Sequence, residues 1–278
     1  MSDVDAIFET VAAVAPEVRA GLPGRRTYDG SENPSGEEQL AADVYADQLF
    51  EERLLALDAV ASYASEEREE RVTDRGAYHL AVDPLDGSSN LRSNNAMGTV
   101  VGVYEDPLPA GGRSLVAAGY VLFGPITTMV VAHETVTEYV VDEGVPEPVR
   151  TDLSLPDDPT VYGFGGRVPD WPDDFTAYAR EVERELKLRY GGAMIGDVNQ
   201  VLTYGGVFAY PGLVSRPEGK LRLQFEGNPI AYVVETAGGR SSDGEQSLLD
   251  VAPDDLHQRV PVHVGNADLI ERLEAALD

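Results

Sequence analysis

From Ser114 to Ala132 the chain reads SLVAAGYVLFGPITTMVVA, without one charged side chain. A run of about 20 apolar residues is enough to cross a bilayer as a helix. Gly124 and Pro125 break this run in its middle, and the β-branched residues on either side suit two buried strands joined by a turn. The segment therefore predicts a hairpin inside a large sheet, and its neighbours must supply that sheet with partners and cover.

The neighbours have the right patterns. DAVASYAS from Asp58, AYHLAVD from Ala77, MGTVVGVYED from Met97 and TVTEYVVDEG from Thr135 read as further strands of one sheet. Residues 3 to 20 read as an amphipathic helix, and SGEEQLAADVYADQLFEERLLAL as a second, with Ser35 as N-cap and Glu38 completing a capping box. The polar stretch PGRRTYDGSENP between them reads as a loop free to move. The proline-rich, acidic stretch from Asp142 to Pro159 is the predicted boundary. After it come a strand near VYGFGG, a helix over residues 171 to 188, and a strand-to-helix step in LRYGGAMIGDVNQVLTYGG. KLRLQFEGNPIAYVVETAGG, a short strand or two and a last helix from Ala267 complete the chain, with no internal repeat. This order predicts an α/β layered sandwich of alternating helices and mixed sheets in two lobes, residues 1–150 and 151–278, facing a cleft.

Charge removes some functions. With 49 acidic against 21 basic residues and a net charge of -28, the surface repels a nucleic-acid backbone and an anionic membrane, so neither is an expected partner. Nearly all the positive charge is arginine, since Lys187 and Lys220 are the only lysines. Such an acid-rich surface suits a salty interior, where screening relieves self-repulsion. The absence of cysteine excludes disulfides and thiolate chemistry. The first turns carry acids rather than the basic start of a signal peptide, and the expected location is the cytoplasm.

The chemistry is concentrated in VDPLDGSSN, residues 82 to 90. Asp83 ends a strand, Pro84 stiffens the step, Asp86 follows and Gly87 permits a sharp bend. Two carboxylates aimed into one small volume repel each other unless a hard cation lies between them. Free backbone N–H groups after Gly87 suit an anion. Metal beside phosphate is the chemistry this pairing serves, and two divalent ions can clamp the attacking water and the leaving oxygen of a phosphate ester. The same residues also suit an acidic surface turn with a serine cap. There is no G-x-S-x-G elbow and no G-x-x-x-x-G-K-[ST] loop, and the four histidines fit no triad.

At this turn the chain resembles the class I fructose-1,6-bisphosphatases, within the lithium-sensitive sugar and inositol phosphatases. NPSGEEQLAAD, ASEE, RYGGAMIGDV, YGGVFAYP, GKLRLQFEGNPIAYVVETAGG and DLHQRVPV appear in that family's order, from about Asn33 onward. The resemblance implies Mg²⁺ or Mn²⁺ held by Glu66, Glu67, Asp83, the Leu85 carbonyl, Asp86 and Glu226. Glu226 also precedes Asn228 and Pro229, which read as N-cap and first residue of a helix, where a negative charge is welcome anyway. It implies catalytic roles for Glu66, Glu67 and Asp43 around an activated water, with Asp43 and Glu37 on a mobile loop. Gly87, Ser88 and Ser89 are expected to hold the phosphate under attack, and Arg189, Tyr190, Tyr210, Lys220 and Arg222 to bind substrate, Arg189 across a subunit interface in a homo-oligomer, a dimer or tetramer. The implied activity is hydrolysis of the 1-phosphate of fructose 1,6-bisphosphate, a gluconeogenic step; sedoheptulose 1,7-bisphosphate, inositol monophosphate, or a non-catalytic sensor of the same ligands are the other readings. Where typical members offer Asn and Tyr to the far phosphate, this sequence has Phe164 and Arg167, and Arg167 is expected to hold that phosphate by charge. Basic residues that serve AMP in inhibited members are replaced here by Ala77 and Glu105, while Tyr78 is kept, so AMP inhibition is expected to be weak or absent.

Overall fold

The structure, a computed structural model, describes residues 2–73 and 75–277. Helix α1 (Asp3–Gly21) leads to two short paired strands, β1 (Tyr28–Glu32) and β2 (Glu38–Leu40), and then to helix α2 (Ala41–Leu54). Eight strands follow: β3 (Val60–Ser65), β4 (Arg68–Val72), β5 (Tyr78–Asp86), β6 (Met97–Tyr104), β7 (Leu115–Phe123), β8 (Thr127–Ala132), β9 (Val136–Asp142) and β10 (Val145–Arg150). They form one sheet in the order β10-β9-β8-β7-β6-β5-β3-β4, antiparallel throughout except where β3 and β5 run parallel. A second sheet has the order β12-β11-β13-β17-β15, built from β11 (Val161–Phe164), β12 (Lys187–Leu188), β13 (Gly206–Tyr210), β15 (Arg240–Ser242) and β17 (Val262–Gly265). Helices α3 (Asp173–Glu185), α4 (Met194–Tyr204) and α5 (Asn228–Thr236) lie between these strands in sequence, α6 (Ala267–Leu277) follows the last of them, and β14 (Leu221–Arg222) pairs with β16 (Arg259–Val260).

Side-chain alternation explains the layering. On β7, Ala117 and Val121 face one way with Phe8, Val11 and Phe50, whereas Ala118 and Tyr120 face the other with Ile195, Ile230 and Val234. The large sheet is thus covered by α1 and α2 on one side and by α4 and α5 on the other. The second sheet shares α4 and α5, and its outer face packs on α3 and α6 through Phe164, Phe175, Tyr178, Ile270 and Leu273. Helices and sheets therefore alternate in five layers, as the element order predicts. Ser114 to Ala132 is the β7–β8 hairpin, and no helix among the described residues is long and apolar enough to cross a membrane.

Several local expectations are corrected. Ser35 does not cap a helix: the Asn33 side chain accepts the Ser35 and Glu37 N–H groups at 3.1 and 3.0 Å, Gly36 takes a left-handed φ of 77°, and the chain passes into β2. The helix begins at Ala41, where the Asp43 carboxylate accepts the Leu40 N–H at 2.9 Å. Half of the polar loop is strand β1. REERV, which no strand was expected to include, is edge strand β4, tied to α2 by Arg68 pairing with Asp47 and Glu51 and by Arg71 pairing with Glu51. The acidic stretch from Asp142 opens with a hairpin turn, Glu143 and Gly144 having φ of 48° and 84°, and β10 closes the sheet with Pro146 and Pro148 on its edge. Helix α3 stops at Glu185, and Lys187 and Leu188 join the second sheet. Asn228 is a buried helical residue rather than an N-cap, with φ of -62°.

His263 on β17 is enclosed, its ring stacked on Phe175 with centroids 6.2 Å apart. Burial pushes its imidazole down to about 3. The unfolded chain takes up this proton below about 6.5, whereas the folded chain does not until about 3. The stability lost is therefore nil above pH 6.5 and grows as pH falls through that window. Urea denaturation at constant KCl should show the stability of the wild type falling relative to His263→Leu by about 1.4 kcal/mol per pH unit below pH 6. Parallel curves for the two proteins would show that His263 is not the titrating group.

Candidate active site

Strand β5 ends in the turn that carries Asp83 and Asp86. Its register against β6 shifts between these two residues, and Thr99 on β6 fixes the bend by donating to the Pro84 carbonyl at 2.9 Å. Each carboxylate is then held by a backbone amide: Asp83 Oδ1 accepts the Leu85 N–H at 3.0 Å and Asp86 Oδ2 accepts the Ile195 N–H at 2.8 Å. Gly87 adopts φ 72°, and a Cβ there would lie 2.2 Å from the Ala193 Cβ. Only glycine fits that bend.

Parallel pairing of β3 with β5 brings the glutamates to the same place. Glu66 donates its N–H to the Val82 carbonyl at 3.2 Å, and Glu67 donates to Ser65 Oγ at 3.2 Å. Glu226 arrives from the distant end of the chain on a π-turn, Leu223–Gly227, with its Oε2 accepting the Arg222 N–H at 2.6 Å. Glu66, Asp83 and Glu226 each offer an oxygen within 4.8 Å of the others.

Left to themselves these groups oppose one another's ionisation. Burial, then the Glu66 charge, push Glu226 up to about 8; burial, then Glu66 and Asp43, do the same to Glu67. Asp83 goes well above the usual carboxylate range through burial and the charges of Glu66 and Glu226, and Asp86 rises to about 6, burial again leading. The donor set is all carboxylate oxygen, with neither histidine nor cysteine among the described cluster, so the residues fit a hard divalent metal ion.

One cation of the protein already reaches in. Arg222, almost fully buried, pairs with Glu66 through Nη1 at 2.6 Å and with Glu37 through Nη2 at 2.6 Å, while Arg259 holds the other Glu37 oxygen at 3.1 Å. Burial raises the Glu37 carboxyl, but the two arginines outweigh it and bring the group down to about 2. The β1–β2 loop is thereby latched onto β14 and β16. Gln39 on the same segment donates to Glu67 Oε2 at 2.5 Å.

The cavity these residues line measures about 440 Å³. Glu66, Glu67, Asp83, Leu85, Asp86 and Glu226 form its acidic floor, with Gly87, Ser88 and Ser89 beside them. Tyr190, Tyr210, Lys220 and Arg222 line it as well, and the Lys220 Nζ lies 5.7 Å from the Tyr210 ring centroid. Asp43 stands behind Ser88, buried in the first turn of α2 rather than on a mobile loop. Burial, with Glu66 nearby, pushes it up to about 7 against the Leu40 and Ser88 hydrogen bonds. Arg189 is exposed and outside this cavity.

Phe164 and Arg167 are corrected. Phe164 is buried against Phe175 and Trp171 on the outer face of the second sheet, and Arg167 is exposed after β11, neither lining the cavity. Alternation along β11 decides this, since Phe164 shares its face with Tyr162 and packs on α3. Glu37, expected on the loop at the site, lines the cavity; Tyr28, which lines it too, carries no signal of its own in the sequence, because the loop is placed by partners far along the chain.

Five alternating layers with an acidic cavity fit for a hard metal ion define the class as a layered α/β protein. Its particular family is fixed by comparison. Residues 4–151 match the model of the fructose-1-6-bisphosphatase N-terminal domain, and residues 155–278 match that of the C-terminal domain. The chain is 66% identical to a class 1 fructose-1,6-bisphosphatase of Natronomonas pharaonis, across 99% of this chain and 98% of that one. It is 61% identical to the Halobacterium salinarum protein of the same name, across 100% and 98%. The crystal structure of Leishmania major fructose-1,6-bisphosphatase in holo form is similar with a TM-score of 0.92 and 29% identity, over 99% of this chain and 94% of that one. The chain belongs to the fructose-1,6-bisphosphatase family.

Because the carboxylates repel, removing one should stabilise the protein when divalent metal is withheld. Asp83→Asn keeps the oxygen that accepts the Leu85 N–H, and in EDTA at pH 8 it should melt several degrees above the wild type, each kcal/mol being worth about 2–4 °C in a chain of this size. An unchanged or lower melting temperature would show that the cluster is not under electrostatic strain.

Proposed function

We propose that the protein hydrolyses the 1-phosphate of fructose 1,6-bisphosphate, releasing fructose 6-phosphate and phosphate, with Mg²⁺ or Mn²⁺ held by Glu66, Glu67, Asp83, the Leu85 carbonyl, Asp86 and Glu226. The observation that carries the reading is that one cavity unites this carboxylate floor, the Gly87–Ser89 turn, and a cationic, tyrosine-bearing far side at Tyr190, Tyr210 and Lys220. The cation, when bound, supplies Lewis-acid charge that makes water a better nucleophile and neutralises phosphate oxygens.

The chain's own residues do the rest. Asp43 or Glu67 takes the proton from the attacking water; burial raises the Asp43 carboxyl to about 7, which suits proton acceptance near neutral pH. Backbone N–H groups at Gly87, Ser88 and Ser89 face the phosphate oxygens, where developing negative charge is stabilised by fixed dipoles. Lys220, Tyr210 and Tyr190 hold the second phosphate by charge-assisted bonds, and Arg222 is poised between Glu66 and Glu37 to close the loop over the site. Arg189, exposed, is suited to complete the cavity of a neighbouring copy in a dimer or tetramer. In this reading residues 1–150 provide most of the metal ligands and residues 151–278 the distal phosphate site, in the cytoplasm of a salt-rich cell.

Phosphate release from fructose 1,6-bisphosphate, assayed in molar KCl with Mg²⁺ and with EDTA beside inositol 1-phosphate, tests this. Release should depend on the metal and favour the bisphosphate by at least about tenfold, the scale a properly paired second phosphate provides. Equal turnover of the monophosphate would overturn the substrate, and metal-independent release would overturn the mechanism.

A further inference from the structure

The strip Tyr190 to Ala193, between β12 and α4, runs from Tyr190 on the far side of the cavity to the Gly87–Ser89 turn. At its start the Arg189 N–H is fixed by the Tyr162 carbonyl at 2.7 Å. At its end Ala193 abuts Gly87, and two residues later the Ile195 N–H holds Asp86.

Gly191 in the middle is gripped at both backbone polar groups. Its N–H donates to Asp197 Oδ1 at 2.6 Å, and its carbonyl accepts Asn90 Nδ2 at 2.9 Å and Asn95 Nδ2 at 3.1 Å. The second Asn90 amide hydrogen goes to the Ala96 carbonyl at 2.8 Å, so both hydrogens of the side-chain amide are used. Gly192 permits the approach, with φ 83° and its Cβ position 3.2 Å from Asn90 Oδ1.

Asp197 is poorly explained as a stabilising residue. It is buried on α4, where the Gly191 and Gly192 N–H groups face its carboxylate while its Oδ2 makes no full hydrogen bond among the described residues. Leaving a carboxylate oxygen buried and unmatched costs stability, and Asp86 lies close enough to oppose its charge. Such a group is kept for what it holds in place.

We infer that Asp197 and Asn90 are positioning residues that set the separation between the Gly87–Ser89 turn and Tyr190, and so select a sugar carrying two phosphates at one spacing. The inference rests on the bisphosphatase reading above. Asn90 follows directly from the turn that meets the phosphate under attack, and Asp197 sets the strip that presents Tyr190 and Arg189. Neither touches substrate. A shift of the strip by an ångström leaves the carboxylate floor intact but misplaces the distal contacts, and misplacement of that size can cost about a hundredfold.

The test compares kcat and KM for fructose 1,6-bisphosphate and fructose 1-phosphate, with Mg²⁺ in molar KCl, in the wild type, Asp197→Leu, Asp197→Asn and Asn90→Ala. Asp197→Leu and Asn90→Ala should each cut the preference for the bisphosphate at least about tenfold, mainly through KM. Asp197→Asn, which keeps the acceptor for Gly191, should recover most of it. Equal losses on both substrates, tracking a lower melting temperature, would reduce Asp197 and Asn90 to structural residues and overturn the inference; so would an Asp197→Asn no better than Asp197→Leu. A wild type without any preference for the bisphosphate would instead overturn the underlying reading, and the two failures are told apart before any variant is made.

Discussion

Mutual repulsion among buried carboxylates governs the design of this protein. Asp83, Asp86 and Glu226 are each nearly inaccessible, and Glu66 opposes the ionisation of all three and of Glu67. No arrangement of that kind assembles without restraint. Each acid is accordingly pinned by hydrogen bonds: Asp83 by the Leu85 amide, Asp86 by that of Ile195, Glu226 by that of Arg222, Glu67 by the Gln39 side chain. The surrounding layers provide the rigidity that makes such pinning possible, since the floor is anchored in β3 and β5, two largely buried inner strands of the eight-stranded sheet.

Chain order adds a second constraint. The metal-site carboxylates come from the ends of two parallel strands and from a π-turn about 140 residues further on, so the site exists only when both sheets have packed on α4 and α5. Arg222 and Arg259 extend that dependence to the β1–β2 loop. Removing water from Arg222 is tolerable because Glu66 and Glu37 flank it, and the same ion pairs latch the loop at the cavity mouth. Folding, loop closure and completion of the site are thus carried by overlapping interactions.

Much of this was legible in the sequence, for physical reasons that differ from residue to residue. The apolar runs on β5, β6 and β7 are nearly continuous because both faces are buried, and Gly124 with Pro125 could hardly be read as anything but a turn. Asp83, Pro84, Asp86 and Gly87 form a local unit, so their turn announces itself. The start of α2 does not, because Asn33 diverts the chain by claiming two amides that Ser35 was expected to order. Strand β4 is hidden by its charges, which become intelligible only opposite Asp47 and Glu51 of α2. Phe164 and Arg167 were misplaced for a related reason: a linear pattern cannot say which face of β11 meets the cavity until α3 is packed against the other. Asp197 and Glu37 are likewise ordinary acids until their partners at Gly191, Arg222 and Arg259 are in place.

The measurement that tests the account most directly is the melting temperature as a function of Mg²⁺ concentration, taken from EDTA into the millimolar range at constant molar KCl so that general screening of the -28 net charge does not change. If the carboxylate floor is strained until a divalent cation joins it, the melting temperature should climb steadily with the logarithm of free Mg²⁺ once the site begins to fill, by mass action on the folded state. A flat curve would mean that the acids are at rest without a divalent cation, and would contradict the account at its root.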